Sequence, residues 1–127
     1  MKFHHIGFLT KNLKKSLKDF LSLKYKASGK IIDDKKFRVQ ILFIKKGHNT
    51  IELVKPYKIN FGLNKLIKKE NYGYHFAYIS KSFEKDLKKL RKKFKIIVNP
   101  TPAIAFKGKK VCFLKMKNNF IIELIQS

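Results

Sequence analysis

The chain repeats itself, and this constrains its fold more tightly than any other feature. His5-Ile6-Gly7-Phe8-Leu9-Thr10-Lys11-Asn12-Leu13 aligns with His75-Phe76-Ala77-Tyr78-Ile79-Ser80-Lys81-Ser82-Phe83. Each stretch runs His, apolar, small, aromatic, aliphatic, hydroxyl, Lys, cap-type polar, apolar. The match extends to Lys15 with Lys85 and Leu17 with Leu87. Later in each half comes an apolar-Glu-Leu unit, Ile51-Glu52-Leu53 and Ile122-Glu123-Leu124. His5 to Glu52 spans 47 positions and His75 to Glu123 spans 48, a difference that one loop residue absorbs.

Each half reads as strand, helix, then three strands. Phe3 to Leu9 is rich in β-branched and aromatic residues and reads as a strand. Asn12 is a helix N-cap candidate, and Leu13, Leu17, Phe20 and Leu21 recur at helical spacing to give one apolar face. Strands are expected over 25–32, 37–44 and 50–54, with turns at Gly29 and Lys46-Gly47-His48-Asn49. In the second half, Tyr74 to Ile79 is the strand, Ser82 the cap, and Phe83, Leu87, Leu90 and Phe94 the helical stripe. Strands follow near 95–98, 110–114 and 120–125, and Pro100 and Pro102 are expected to break the chain before Phe106-Lys107-Gly108. The expected organisation is one domain over 1–127: module one at 1–56, a linker at 57–71 with a short helix at Leu63-Asn64-Lys65-Leu66-Ile67, and module two at 72–127. The fold class is α+β, two tandem βαβββ modules forming a curved mixed sheet around a metal-binding cavity.

That arrangement makes His5 equivalent to His75 and Glu52 equivalent to Glu123. All four sit on strands, where side chains alternate between faces. A carboxylate on an apolar strand is costly to bury unless it is paired or binds a cation. Glu52 and Glu123 are two of only eight acidic residues, and they fall on corresponding apolar strands. Singly, a strand His is more often a hydrogen-bonded structural residue, and a strand Glu more often faces water beside a Lys. As two repeat-related pairs, the metal reading outranks both. Two imidazoles and two carboxylates suit Zn, Ni, Co, Mn or Fe better than Ca. His4 has no counterpart, since Tyr74 stands in its place, so it is expected to point away from the site. His48 is expected to be solvated in its turn.

Bulk numbers bound the rest. A chain of 127 residues with 44% apolar residues can bury a core and is not disordered. No apolar run approaches a membrane span, the start lacks the apolar stretch of a secretory signal, and the single cysteine, Cys112, excludes an internal disulfide. A cytoplasmic location and no membrane partner are therefore expected. The net charge is +23, from 31 Lys+Arg against 8 Asp+Glu. Only Arg38 and Arg91 are arginines, although the guanidinium fork is the better phosphate reader. The lysines are scattered, and the charge reads as solvated surface that suits an anionic small molecule, with no specific nucleic-acid partner.

His5-Ile6-Gly7-Phe8 followed by Asn12-Leu13 and a short amphipathic helix resembles the opening of vicinal oxygen chelate proteins. These include glyoxalase I, methylmalonyl-CoA epimerase, extradiol dioxygenases and bleomycin-resistance proteins. The resemblance covers essentially the whole chain and is nearest to the epimerase and its glyoxalase-like relatives. Phe37-Arg38-Val39 through Ile51-Glu52-Leu53-Val54-Lys55-Pro56 resembles that family's middle strands, and Tyr74-His75-Phe76-Ala77-Tyr78 its second metal-His strand. Lys107-Gly108-Lys109-Lys110-Val111-Cys112-Phe113-Leu114 and Ile122-Glu123-Leu124 resemble its C-terminal hairpin. The resemblance implies His5, His75 and Glu123 as metal ligands and Glu52 as a more variable fourth. It also implies a homodimer and Lewis-acid activation of a substrate bound through two neighbouring oxygens. Glu123 and Glu52 would then shuttle a proton next to a carbonyl by way of a metal-stabilised enolate.

Two departures stand out. Lys107 occupies a place where the epimerase-like pattern often has His, and Asp33 and Asp34 read as turn residues rather than a second catalytic acid. The leading expectation is an isomerase or epimerase acting on an acyl-CoA or similar carbonyl compound. The alternatives are a glyoxalase I-type lactoylglutathione lyase, for which arginine contacts to glutathione are not evident, and a non-enzymatic, resistance-type binding protein.

Overall fold

A computed structural model of the chain describes residues 1–127. In order it contains β1 (Lys2–Leu9), α1 (Leu13–Ser22), β2 (Lys26–Ala27), β3 (Ile32–Asp34), β4 (Val39–Lys46), β5 (Asn49–Pro56), α2 (Phe61–Lys68), β6 (Gly73–Ser80), α3 (Phe83–Leu90), β7 (Lys95–Pro102), a 3-10 turn (Ile104–Phe106), β8 (Lys110–Lys115) and β9 (Ile121–Gln126). The strands form mixed sheet in each of two units, and the α+β class is as the sequence predicts. The chain divides into two compact units, Ile6–Tyr74 and Met1–His5 with His75–Ser127, so β1 contributes residues to both.

In the unit from Ile6 to Tyr74 the strand order is β2-β4-β5-β1, with β3 also pairing β4. β1 runs parallel to β5, and β4 and β5 form an antiparallel hairpin whose turn needs the positive φ of +58° that Gly47 adopts freely. The Asn12 side chain accepts a hydrogen bond from Lys15 N and caps α1. One face of α1 then buries Leu13 against Leu42, Ile44 and Leu53, with Leu17 and Phe20 packed at the margin. Leu21 is 47% exposed rather than on that face. At about 100° per residue it lies about 80° round the helix from Leu13, at the edge of the stripe.

In the other unit the order is β6-β9-β8-β7, with β6 parallel to β9 and the remaining pairs antiparallel. Phe83 and Leu87 of α3 bury against Cys112, Leu114 and Leu124, with Tyr78, Leu90, Phe94 and Ile96 around them. Glu84 and Asp86 in the first turn of α3 and Lys88 and Lys89 in the last complement its dipole.

Two expectations fail locally. The strand expected over 25–32 is two short strands, because Gly29 takes φ +87° and interrupts the pairing with β4. Pro100 does not end the strand that begins at Lys95; β7 runs through it and stops at Pro102. It lies at the end of the sheet order, where a missing N–H costs no ladder bond on its open side, and two register shifts against β8 absorb the irregularity.

Candidate metal centre

The parallel pairing of β6 with β9 sets Ala77 opposite Glu123, two residues beyond His75 on the same face of β6. The pairing of β1 with β5 sets Gly7 opposite Glu52, two residues beyond His5. The small residue of the repeated motif therefore stands beside the glutamate in each half. Ala77 is fully buried.

His5, His75, Glu52 and Glu123 are all buried, at 0, 1, 5 and 3% exposure. His5 Nε2 and His75 Nε2 lie 3.0 Å apart. Glu123 Oε2 lies 3.3 Å from the first and 3.0 Å from the second. His5, His75 and Glu123 come together within the unit of Met1–His5 and His75–Ser127, and Glu52 belongs to the other unit. Glu123 Oε2 has no hydrogen-bond partner of good geometry, which is costly for a buried carboxylate oxygen.

These distances are also those expected between ligands of one metal ion. Ligands about 2.0–2.1 Å from one ion are separated from one another by about 2.8–3.0 Å in octahedral and about 3.3–3.4 Å in tetrahedral geometry. The three converging atoms Nε2, Nε2 and Oε2 match that spacing. The donor set is also right for a borderline cation such as Zn, Ni, Co, Mn or Fe. Burial alone pushes the Glu123 carboxyl up; the close imidazoles of His5 and His75 outweigh it and hold the group below the usual carboxylate range. Glu123 is therefore a carboxylate at neutral pH.

Aromatic rings fix the imidazoles. Phe106 stacks on His5 with centroids 6.1 Å apart and planes 15° apart, and Phe113 meets His75 edge-on at 5.6 Å. His4 is outside the converging group but in contact with it: its Nδ1 lies 2.7 Å from His5 Nδ1, and its ring packs edge-on to Phe106 at 5.9 Å. The repeat pattern missed His4 because position 74 holds Tyr. His48 is exposed in the β4–β5 turn, as expected. Asp34 is buried and accepts a hydrogen bond from Phe37 N at 3.0 Å, which holds the turn into β4. Asp33 accepts from the Tyr57 hydroxyl.

Comparison with known proteins follows this geometry. A family model described as "Glyoxalase/Bleomycin resistance protein/Dioxygenase superfamily" matches residues 4–113. No curated protein matches the chain in sequence. Among solved structures, a hypothetical protein, BH1468, from Bacillus halodurans C-125 is 28% identical with a TM-score of 0.85, covering 99% of this chain and 94% of the other. Streptomyces coelicolor methylmalonyl-CoA epimerase, in complex with 2-nitronate-propionyl-CoA, is 17% identical with a TM-score of 0.84, covering 100% and 94%. Methylmalonyl-CoA epimerase from Mycobacterium tuberculosis is 14% identical with a TM-score of 0.84, covering 98% and 87%. At these identities the two epimerases are likenesses of fold.

Proposed function

The chain belongs to the glyoxalase/bleomycin resistance protein/dioxygenase superfamily, and from that premise we propose that it is a divalent-metal-dependent isomerase or epimerase acting next to the carbonyl of an acyl-CoA or similar anionic small molecule. The observation that carries this reading is the convergence of His5 Nε2, His75 Nε2 and Glu123 Oε2 at 3.0–3.3 Å in a fully buried setting. His5, His75 and Glu123 hold the ion, and Glu52 is the fourth ligand. A bound divalent ion supplies Lewis-acid chemistry, drawing charge from a carbonyl so that the neighbouring C–H becomes acidic.

The protein's own part is to position groups and move the proton. Phe106 and Phe113 hold the two imidazoles in their planes, and burial excludes bulk water from the reacting carbon. Of the two carboxylates Glu123 and Glu52, one takes the proton from one face of the substrate carbon and the other returns a proton to the opposite face. The epimerases of similar fold support the thioester as substrate class, since one was solved with an acyl-CoA analogue bound. A lysine-rich surface favours approach of such an anion. A homodimer and a cytoplasmic location belong to the same proposal.

The test is proton exchange. The protein is loaded with Zn, Ni, Co or Mn and incubated in heavy water with 2-substituted acyl-CoA thioesters, and loss of the α-proton is followed by NMR. Exchange with at least one thioester that vanishes in Glu52→Gln and on chelation is the expected result. Absence of exchange with every thioester, alongside turnover of a methylglyoxal–thiol adduct, would replace this reading with the lyase.

A further inference from the structure

The hydrogen bond between His4 and His5 carries information that the metal ligands alone do not. Neighbouring residues on a strand usually point to opposite faces, yet these two Nδ1 atoms meet at 2.7 Å. The Phe106 ring lies beside both imidazoles, stacked on His5 and edge-on to His4. His4 is half-buried and His5 fully buried, which makes an unsatisfied nitrogen here expensive.

Two facing Nδ1 atoms at this distance share one proton: one donates and the other accepts. If His4 Nδ1 carries it, a neutral His5 must hold its own proton on Nε2, the atom that faces His75 and Glu123. That lone pair is then unavailable. If His5 Nδ1 carries it, His5 Nε2 presents its lone pair to the centre, and His4 is the acceptor with its proton on Nε2. The tautomers of the two residues are therefore locked to each other.

We propose that His4 is a positioning residue that accepts from His5 Nδ1–H and so holds His5 in the tautomer whose Nε2 lone pair faces His75 and Glu123. This rests on the metal reading of the centre, but it makes a separate claim about a residue outside the four proposed ligands. It also distinguishes the two halves, because Tyr74 stands where a second His4 would be. Metal-bound imidazoles depend on such a partner on the far nitrogen, and its removal typically weakens metal binding by about 10–100-fold.

The experiment compares wild type with His4→Phe, which keeps a ring beside Phe106 but has no acceptor, and His4→Asn, whose Oδ1 can stand near the Nδ1 position. Imidazole ¹⁵N shifts are recorded on the metal-free proteins at mildly alkaline pH, and zinc affinity is measured by competition with a chromogenic chelator. The expected result is an Nδ1–H tautomer for His5 in wild type and His4→Asn, lost in His4→Phe. Zinc affinity should fall about 10–100-fold in His4→Phe and largely recover in His4→Asn. A wild-type His5 protonated on Nε2 would overturn the proposal, as would His4→Phe binding zinc like wild type. Equal loss in both variants would also overturn it, because it would make His4 a packing residue. A wild type with the expected tautomer but no affinity for any divalent ion would sink the metal reading and leave the tautomer lock standing.

Discussion

Cys112 is fully buried in the cluster under α3, and its thiol donates to Val98 O at 3.2 Å. Burial pushes the thiol from 9.0 up to about 11, against the opposite pull of Arg91. A raised pKa means that the folded state disfavours the thiolate. The stabilisation is complete below about pH 9 and is lost as pH rises toward about 11, where the unfolded chain alone has shed its proton. Alkylation of Cys112 by iodoacetamide at pH 8 should therefore be slow in the native protein and fast in denaturant, with little acceleration until pH approaches 11. Rapid native labelling at pH 8 would show that the thiol is neither buried nor shifted. At this scale the sequence was informative where residues came in pairs. His5 with His75 and Glu52 with Glu123 could be found because the repeat supplied a second instance of each. His4 could not, because its role depends on a contact with the next residue that strand alternation argues against.

The hydroxyl of the repeat acquires its meaning at the level of elements. Thr10 and Ser80 end β1 and β6, and both are buried. Thr10 Oγ1 accepts from Asn12 N and Ser80 Oγ from Ser82 N, each at the step from strand to helix. Thr10 then meets Ser16 at 2.6 Å, and Ser80 donates to Asp86, the equivalent position one repeat later. Ser82 heads α3 without a side-chain cap bond of its own, so Ser80 does part of that work. Ser80→Ala should destabilise by about 1–2 kcal/mol in urea unfolding, as loss of a helix cap does, whereas Ser82→Ala should cost less. Equal costs would mean that Ser80 plays no capping part. Leu114→Ala, in the apolar cluster beneath α3, should cost more than either, about 2–5 kcal/mol. Helices and long strands were legible because periodicity reports which face is buried. The continuous strand over 25–32 and the effect of Pro100 were misjudged because such effects depend on sheet position. A glycine at φ +87° splits a strand only where a partner is paired, and a proline is harmless on an outer strand. Neither fact is encoded locally.

For the whole molecule, two separate electrostatic problems set stability. One is diffuse: a net charge of +23 on 127 residues repels itself across the surface. The other is local: Glu123 Oε2 is buried within 3.3 Å of two imidazole nitrogens without a well-formed hydrogen bond. Added salt addresses the first, since the Debye length falls from about 30 Å at 0.01 M to about 10 Å at 0.1 M, and it hardly reaches a buried cluster. A divalent ion at micromolar concentration leaves the ionic strength unchanged and addresses only the second. The two are thus separable in one thermal melt series. Raising sodium chloride should raise Tm in wild type, His75→Ala and Glu123→Gln alike. Zinc or nickel at a hundredfold excess over Kd should add about 2.7 kcal/mol to the wild type, a rise in Tm on the order of 10 °C for a domain of this size, reversed by chelator. The same ions should leave His75→Ala and Glu123→Gln nearly unmoved. A metal-induced rise that survives in both variants would place the ion elsewhere on the lysine-rich surface. A wild type unmoved by every divalent ion would mean that His5, His75 and Glu123 meet for a structural reason. In that case the three ligand-spaced atoms would cost stability for which the fold alone provides no compensation.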